Sequence, residues 1–513
     1  MDFCFSIDKT KLKPNDRYWQ FSVGSGHAAL ALRSDYQEQL KKAHDELGFK
    51  RVRFHGLFDD DMKVVTSLAD YISLIPGSKK VRTTSFYHVG LVFDYILSIG
   101  MKPFVEVGFM PRALASGRRT AFYYKGNVTL PRHRQEWVNL IKDFARFCIA
   151  RYGVDEVRSW HFEIWNEPNL AFFFKGNQKD YFSLYKDTVN ALKSVDDKIV
   201  VGGPSTSANL WLPEFREYCE KNNIPLDFLS THHYPGDDLG LPLFTYSNIK
   251  RFVTTALRNP KDNIVDVIHK MLYMPEKLPL IKKDSMRNQV VKARKEAGNI
   301  PLIYSEWNVN PTLTAPAHDT TQSAAFIVKH VLDCQGLMEG SSFWTFSDIF
   351  EELTFFTRPF SGCFGLQTIH GIPKPSYHAF KLLNMLGDER YDLPVTDGSI
   401  EVAVFRKGDL LQFLVYKQNY EEGSEEGEEF NIQLDILVQS SGTLRRIDRN
   451  HCNPIALWKE MGCPETLLKE QVEDIILRTA MKEESIEFDN SGKGTLIKTF
   501  LADNDVQLIE VKM

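Results

Sequence analysis

No stretch of this chain approaches the roughly 18 consecutive apolar residues that a membrane span requires. The opening residues, Met1-Asp2-Phe3-Cys4-Phe5-Ser6-Ile7-Asp8-Lys9, hold acidic side chains at positions 2 and 8 and no apolar run of signal-peptide length. Neither a membrane-spanning nor a secreted protein is expected. An excess of positive charge is lacking too. The net charge is -5, which argues against nucleic acid or a membrane surface as partner and favours a small or neutral ligand. Cysteine is sparse: seven residues, at positions 4, 148, 219, 334, 363, 452 and 463, odd in number and without metal-type spacing. A reducing cytoplasm accounts for these features, with the cysteines as small buried hydrophobes. No histidine pair stands at i, i+4 on a helix, so no metal or other cofactor is expected.

The 513 residues, 43% hydrophobic and 25% charged, exceed one ordinary core and suit an enzyme of more than one domain. β-rich segments recur with helical segments between them, the pattern of βα units and a parallel sheet. Strands are predicted at Trp19 to Val23, Val52 to His55, Pro103 to Gly108, Trp160 to Trp165, Ile199 to Gly203, Phe228 to His232, Leu302 to Glu306 and Ser342 to Phe346. Helices are predicted after them at 35–47, 85–99, 133–152, 179–194, 210–222, 285–297, 319–337 and 376–386. Eight such units close naturally into a (β/α)₈ TIM barrel, an α/β fold, over residues 15–388.

Beyond about Leu386 the periodicity changes to alternating runs such as Ile400 to Phe405 and Leu410 to Tyr416, so residues 389–513 are expected to form an antiparallel β-sandwich. Residues 1–14, with Phe3, Phe5 and Ile7 alternating, look like one strand added to it. The acidic tract from Glu421 to Glu429 lacks an ordered ligand spacing and reads as a solvated hairpin loop rather than a calcium site. Residues 236–300 form an insertion far longer than ordinary βα loops. A lid, a subsite wall or a homo-oligomer contact would each make use of it.

Two stretches carry the strongest functional signal. Ile164-Trp165-Asn166-Glu167-Pro168-Asn169 and Ile303-Tyr304-Ser305-Glu306-Trp307-Asn308 each end an apolar β-like run with a glutamate among Trp, Asn and Pro. Glu167 alone could be a charge on a strand-ending turn. Two glutamates at the C-terminal mouths of parallel strands, however, can face one another across a barrel active site. Paired carboxyls in unlike environments supply what glycosidic cleavage needs: a proton for the leaving oxygen, and a nucleophile or activated water at the anomeric carbon. Trp165 and Pro168 suit a desolvated, acid-like Glu167, whereas Ser305 and Asn308 suit an ionised Glu306. Asn166 could bond a sugar hydroxyl beside the reacting carbon.

Other polar residues gather at strand ends: His27 after the first strand, His55 after the second, and His232-His233-Tyr234-Pro235 after the sixth. A single such histidine is often structural, but three strand ends together favour a polar sugar pocket. The last strand brings Trp344, a candidate floor for the sugar ring, followed by Asp348, Glu351 and Glu352 as candidate substrate-binding carboxylates.

The segments Arg51-Val52-Arg53-Phe54-His55-Gly56, Trp160 to Asn169, Thr231-His232-His233-Tyr234-Pro235, Tyr304-Ser305-Glu306-Trp307-Asn308 and Phe343-Trp344-Thr345-Phe346-Ser347-Asp348 resemble those of glycoside hydrolase family 39. That family holds β-xylosidases and α-L-iduronidases, and the resemblance runs from about Tyr18 to Leu386. It implies a retaining mechanism with Glu167 as general acid/base and Glu306 as nucleophile. It also implies that His27, His55, Asn166, His233 and Tyr234 line the subsite for the cleaved sugar.

An iduronide carboxylate should be met by Arg or Lys. The last strand's loop instead presents Asp348, Glu351 and Glu352, with Arg358 further along, which suits a neutral pentose. A β-D-xylosidase acting on short xylo-oligosaccharides is the expectation. A non-catalytic carbohydrate-binding barrel is the reading from another class, and the pair of glutamates argues against it.

Overall fold

The structure is a computed structural model describing residues 2–68, 72, 81–237, 254, 257, 280–352, 358–393, 398–421 and 423–513. Eight parallel strands form a closed barrel, in chain order Ser22–His27, Arg51–His55, Lys102–Val107, His161–Ile164, Val200–Thr206, Phe228–His232, Leu302–Trp307 and Gly340–Phe343. The eighth closes onto the first through Ser342↔Ser22 and Phe343↔Val23. Barrel strands are covered on both faces, so they read as near-continuous buried runs rather than alternating ones.

Helices Ser34–Leu47, Tyr87–Ser98, Arg134–Tyr152, Gln178–Val195, Leu212–Lys221, Ser285–Ala297, Thr321–Asp333 and Pro375–Met385 follow the strands in turn. Asn177 and Asp180 form a reciprocal capping box that starts the helix after the fourth strand. Thr321–Asp333 is buried almost throughout, because its outer side meets the sandwich. There Lys329 reaches Glu401 at 3.2 Å and Asp333 at 2.8 Å, which lets a lysine sit in a covered position.

The predicted fold class is observed, with shifts at the ends of elements. Trp19 lies in a buried 3₁₀ turn, Tyr18–Gln20, and the first strand begins at Ser22. It runs on through Gly24 and Gly26 because both stand against close neighbours. A Cβ on Gly24 would meet the Trp344 ring at 2.5 Å, and one on Gly26 the Phe350 carbonyl oxygen at 2.5 Å. The eighth strand is short and ends at Phe343, so Trp344 lies just beyond it.

The sandwich packs a seven-stranded antiparallel sheet (Leu12–Pro14, Glu389–Tyr391, Glu401–Lys407, Leu410–Tyr416, Val506–Lys512, Ser441–Ile447, Glu484–Glu487) against a three-stranded one. The smaller sheet holds Asp2–Phe5, Glu428–Leu434 and Leu496–Leu501. Phe5, Phe430, Ile432 and Ile497 from it share a core with Val404, Phe413, Val415 and Ile509 from the larger sheet. The first 14 residues therefore supply two strands, not one. Asp2–Phe5 pairs in parallel with Glu428–Leu434, and Leu12–Pro14 pairs antiparallel with Glu389–Tyr391.

The acidic tract is no hairpin loop: it links strand Leu410–Tyr416 of one sheet to Glu428–Leu434 of the other. Two helices, Pro454–Glu460 and Lys469–Arg478, are inserted in the sandwich, and their Trp458 and Ile475 pack on Phe360 and Ile372 of the loop after the eighth strand. Most of the 236–300 insertion lies outside the described residues; within it the helix Ser285–Ala297 is placed as predicted. Among the described residues no helix is long and apolar enough to cross a membrane.

Candidate active site

Glu167 follows the fourth strand and Glu306 lies in the seventh, both nearly buried. The chain leaves the fourth strand through two left-handed residues, Trp165 (φ 72°) and Glu167 (φ 40°), an arrangement that ordinary side chains disfavour. Neighbouring strands hold it there. Ser205 Oγ donates to the Trp165 carbonyl at 2.8 Å, the Glu167 N–H donates to the Ser205 carbonyl at 2.9 Å, and Trp165 Nε1 donates to the Phe173 carbonyl at 2.9 Å.

One oxygen of each glutamate and a ring nitrogen of His232 all lie within 4.8 Å of one another. His232 Nδ1 stands 3.0 Å from Glu167 Oε1 and 3.4 Å from Glu306 Oε2. Tyr234 Oη donates to Glu306 Oε1 at 2.5 Å. Burial raises the pKa of both carboxyls. Glu167 is pushed from 4.5 to about 7, with Arg53 pulling the other way. Glu306 is raised as well, against the pull of His232 and Arg53.

Beneath the pair lies a charged layer inside the barrel. Arg53, wholly buried, donates through Nε to Glu163 Oε2 at 2.7 Å and through Nη2 to Asn166 Oδ1 at 2.9 Å. The same Nη2 meets Glu106 Oε2 at 2.9 Å, and Nη1 lies 3.5 Å from Glu306 Oε2. Burial opposes its charge, yet Glu163, Glu106 and Glu306 hold it protonated. Because Arg53 occupies Asn166 Oδ1, the Asn166 side-chain NH₂ is left as the donor. Arg53 Nη2 also stands 3.5 Å from His232 Nε2, and Ser305 Oγ lies 3.1 Å from the same nitrogen. Arginine can only donate, so it makes Nε2 the acceptor and puts the proton of neutral His232 on Nδ1. Burial keeps that ring neutral, its pKa lowered to about 4.

Across the mouth, His55 meets Glu106 Oε2 through Nδ1 at 2.7 Å and faces Glu352 Oε1 through Nε2 at 3.6 Å. Aromatic rings surround it: Trp344 at 4.8 Å between centroids, Phe122 at 6.0 Å and Phe173 at 6.4 Å. His27 stacks on Tyr124 at 4.0 Å and contacts Asp61 Oδ2 at 3.1 Å. Glu352 is buried with its pKa raised well above the ordinary value, first by burial and then by Glu306, Glu106 and Glu167. Trp344 is 2% exposed.

Glu167, Glu306, His55, Asn166, Tyr234, Trp344 and Glu352 thus come together. Two of the candidate carboxylates do not join them. Asp348 is committed elsewhere: Oδ2 pairs with buried Lys374 at 2.7 Å and Oδ1 accepts the Gly365 N–H at 2.7 Å. Lys374 also binds Asp319 at 2.6 Å, so this is a structural ion cluster between loops. Glu351 pairs with Arg33 at 2.5 Å at the rim. His233 is buried, with Nδ1 3.8 Å from Asp237, whereas its neighbour His232 is the ring between the glutamates.

Sequence reasoning passed over Arg53, Glu106 and Glu163 as site residues. The signal was present: a charged residue in the middle of a strand buried on both faces has no cause unless it is paired inside the barrel.

Comparison with known proteins agrees with this geometry. The sequence profile of glycosyl hydrolases family 39 matches residues 5–280 and 261–495. A beta-xylosidase of Caldicellulosiruptor saccharolyticus is 40% identical over 92% of this chain and 90% of its own length. One from Geobacillus stearothermophilus is 34% identical over 99% and 94%. The crystal structure of a monomeric beta-xylosidase from Caulobacter crescentus CB15 superposes with a TM-score of 0.79, at 30% identity, covering 100% of this chain and 99% of that one. With a profile matched along nearly its whole length and a barrel whose mouth brings two buried glutamates together, the chain belongs to glycoside hydrolase family 39 and is a glycosidase.

Proposed function

We propose that the protein is a retaining β-D-xylosidase that releases xylose from the non-reducing end of short β-xylosides by double displacement. The observation that carries the mechanism is the approach of one Glu167 oxygen to one Glu306 oxygen within 4.8 Å. A retaining pair stands roughly 5 to 5.5 Å apart, whereas an inverting pair needs about 6.5 to 9.5 Å to admit a water.

The environment supports unlike roles. Glu167, its pKa raised to about 7, keeps a substantial protonated fraction at neutral pH and is suited to deliver that proton to the leaving oxygen. His232 presents Nδ1–H to Glu167 Oε1, which leaves that proton to Oε2. Glu306 accepts a hydrogen bond from the Tyr234 hydroxyl and lies beside Arg53, both of which favour its ionised form as nucleophile. Attack by Glu306 forms a glycosyl ester as the leaving oxygen takes the proton from Glu167. Glu167, now a carboxylate, then deprotonates the water that releases the sugar and regenerates Glu306.

A neutral glycone is favoured because, among the described residues, the nearby cations are engaged. Arg53 serves the buried glutamates, Lys374 serves Asp319 and Asp348, Arg33 serves Asp35 and Glu351, and exposed Arg358 pairs with Glu465. The names of the curated relatives point to xylose within that class. A screen of aryl β-xyloside, β-glucoside, α-arabinoside and α-iduronide tests the glycone. NMR of the first product formed from the preferred substrate tests the stereochemistry. Faster turnover of the iduronide, or release of α-xylose as the initial anomer, would overturn the reading.

A further inference from the structure

Glu106 touches neither candidate catalytic carboxyl, yet it stands behind a residue facing the sugar pocket. It lies on the third strand, Lys102–Val107, wholly buried. Its Oε2 is shared by two nitrogens, Arg53 Nη2 at 2.9 Å and His55 Nδ1 at 2.7 Å, while Oε1 has no hydrogen-bond partner among the described residues. Burial, then the charge of Arg53, holds His55 neutral, its pKa lowered to about 3. A neutral imidazole carries one ring proton, and where it sits decides whether the other nitrogen donates or accepts.

We propose that Glu106 is a positioning residue that holds His55 in its Nδ1–H form, so that Nε2 faces the glycone as a bare acceptor. Arg53 is what makes this robust. Its positive charge stands 2.9 Å from Oε2, where it repels a proton, so Oε2 stays the bare, accepting oxygen. Burial raises the pKa of Glu106 to about 7. A proton taken up there goes to the partnerless Oε1, and Oε2 goes on accepting from His55 Nδ1 beside the Arg53 charge. The tautomer is therefore independent of the charge on Glu106. Nε2 is then the acceptor for one hydroxyl of a pyranose, with the buried Glu352 carboxyl 3.6 Å away. The pocket selects a sugar that donates at that position, and a substituent that only accepts is rejected there.

The sugar-facing part of this proposal rests on the β-xylosidase reading; the tautomer does not, so the test has two arms. In the first, a long-range ¹H–¹⁵N spectrum of the free enzyme labelled in histidine, with His55 assigned by His55→Gln, should show a protonated Nδ1 and an unprotonated Nε2. The pattern should persist in Glu106→Gln, whose amide oxygen takes the place of Oε2, and should mix toward the other tautomer in Glu106→Leu. The second arm compares aryl β-xylosides bearing hydroxyl, fluorine or hydrogen at C3 and at C4. At one of these positions fluorine should cost wild type as much as hydrogen does, because fluorine cannot donate. Glu106→Gln should keep kcat/KM within a few-fold, and Glu106→Leu should lower it roughly 10- to 100-fold, mostly through KM. A protonated Nε2 in the free wild-type enzyme overturns the proposal whatever the substrate is. Acceptance of fluorine in place of hydroxyl at both positions, with the tautomer as expected, overturns the acceptor role toward the sugar. Failure of all xylosides in the presence of the expected spectrum would instead count against the β-xylosidase reading.

Discussion

Replacing Glu167 with glutamine should remove activity and, at alkaline pH, make the protein more stable. Burial raises the pKa of Glu167 from 4.5 to about 7, which at 1.36 kcal/mol per unit corresponds to roughly 3 kcal/mol against ionising it in the folded state. A carboxyl whose folded pKa lies above its unfolded value binds its proton more tightly when folded. Its ionisation therefore opposes folding, slightly at pH 5 and fully above about pH 7. Glutamine keeps the shape, can accept from His232 Nδ1 through its carbonyl, and cannot ionise. The variant should match wild type near pH 5 and exceed it by up to about 3 kcal/mol at pH 8, a Tm difference of roughly 3 °C for 513 residues. Differential scanning calorimetry of both proteins from pH 5 to pH 9 measures this directly. A gap of equal size at every pH, or one that grows toward acid, would refute the claim that Glu167 is a buried carboxyl held protonated.

Glu167→Ala should hydrolyse xylobiose about 10²- to 10⁴-fold more slowly while still forming the glycosyl ester from a dinitrophenyl xyloside, whose leaving group needs no proton. Azide should rescue turnover in that variant and yield the β-xylosyl azide; with Glu306→Ala the β-azide should be absent, and like products from both variants would overturn the assignment of roles. Arg53→Met should destabilise the fold by about 3 to 5 kcal/mol, because Glu106 and Glu163 would be buried beside an uncharged neighbour; urea unfolding that shows a loss under 1 kcal/mol would contradict the charged layer. Tyr234→Phe should lower kcat about 10- to 100-fold with little change in Tm, through the lost hydrogen bond to Glu306. An unchanged kcat would separate Tyr234 from the nucleophile.

The barrel was legible because its strands are short apolar segments, each followed by a helix of ordinary length. Glu167 and Glu306 were legible because each ends such a segment beside Trp and Asn. What lay one layer deeper was not. Arg53 and Glu163 sit mid-strand, where local pattern says only that a buried run is interrupted; that they answer one another depends on their strands flanking Lys102–Val107 in the sheet. His232, the last residue of its strand, meets both glutamates, which the sequence did not single out from its neighbour His233. Asp348 and Glu351 were misplaced for a different reason. Their partners, Lys374 and Arg33, are remote in sequence, and a carboxylate's availability depends on who has already claimed it. The two sandwich helices at 454–478 were missed where a β-rich context set the expectation.

The parallel pairing of Asp2–Phe5 with Glu428–Leu434 has a consequence for biosynthesis. Asp2 is opposite Asn431, so the first strand leaves the ribosome more than 400 residues before its partner exists. At 5–20 residues per second that is a wait of roughly 20 to 90 s, during which the barrel can already fold. Phe3 and Phe5 remain uncovered throughout. A chaperone that shields short apolar segments near the ribosome should engage this protein early. Release from it should coincide with the emergence of Glu428–Leu434 and Leu496–Leu501, so that nascent chains stalled after the barrel stay chaperone-bound and chains stalled beyond Leu501 do not.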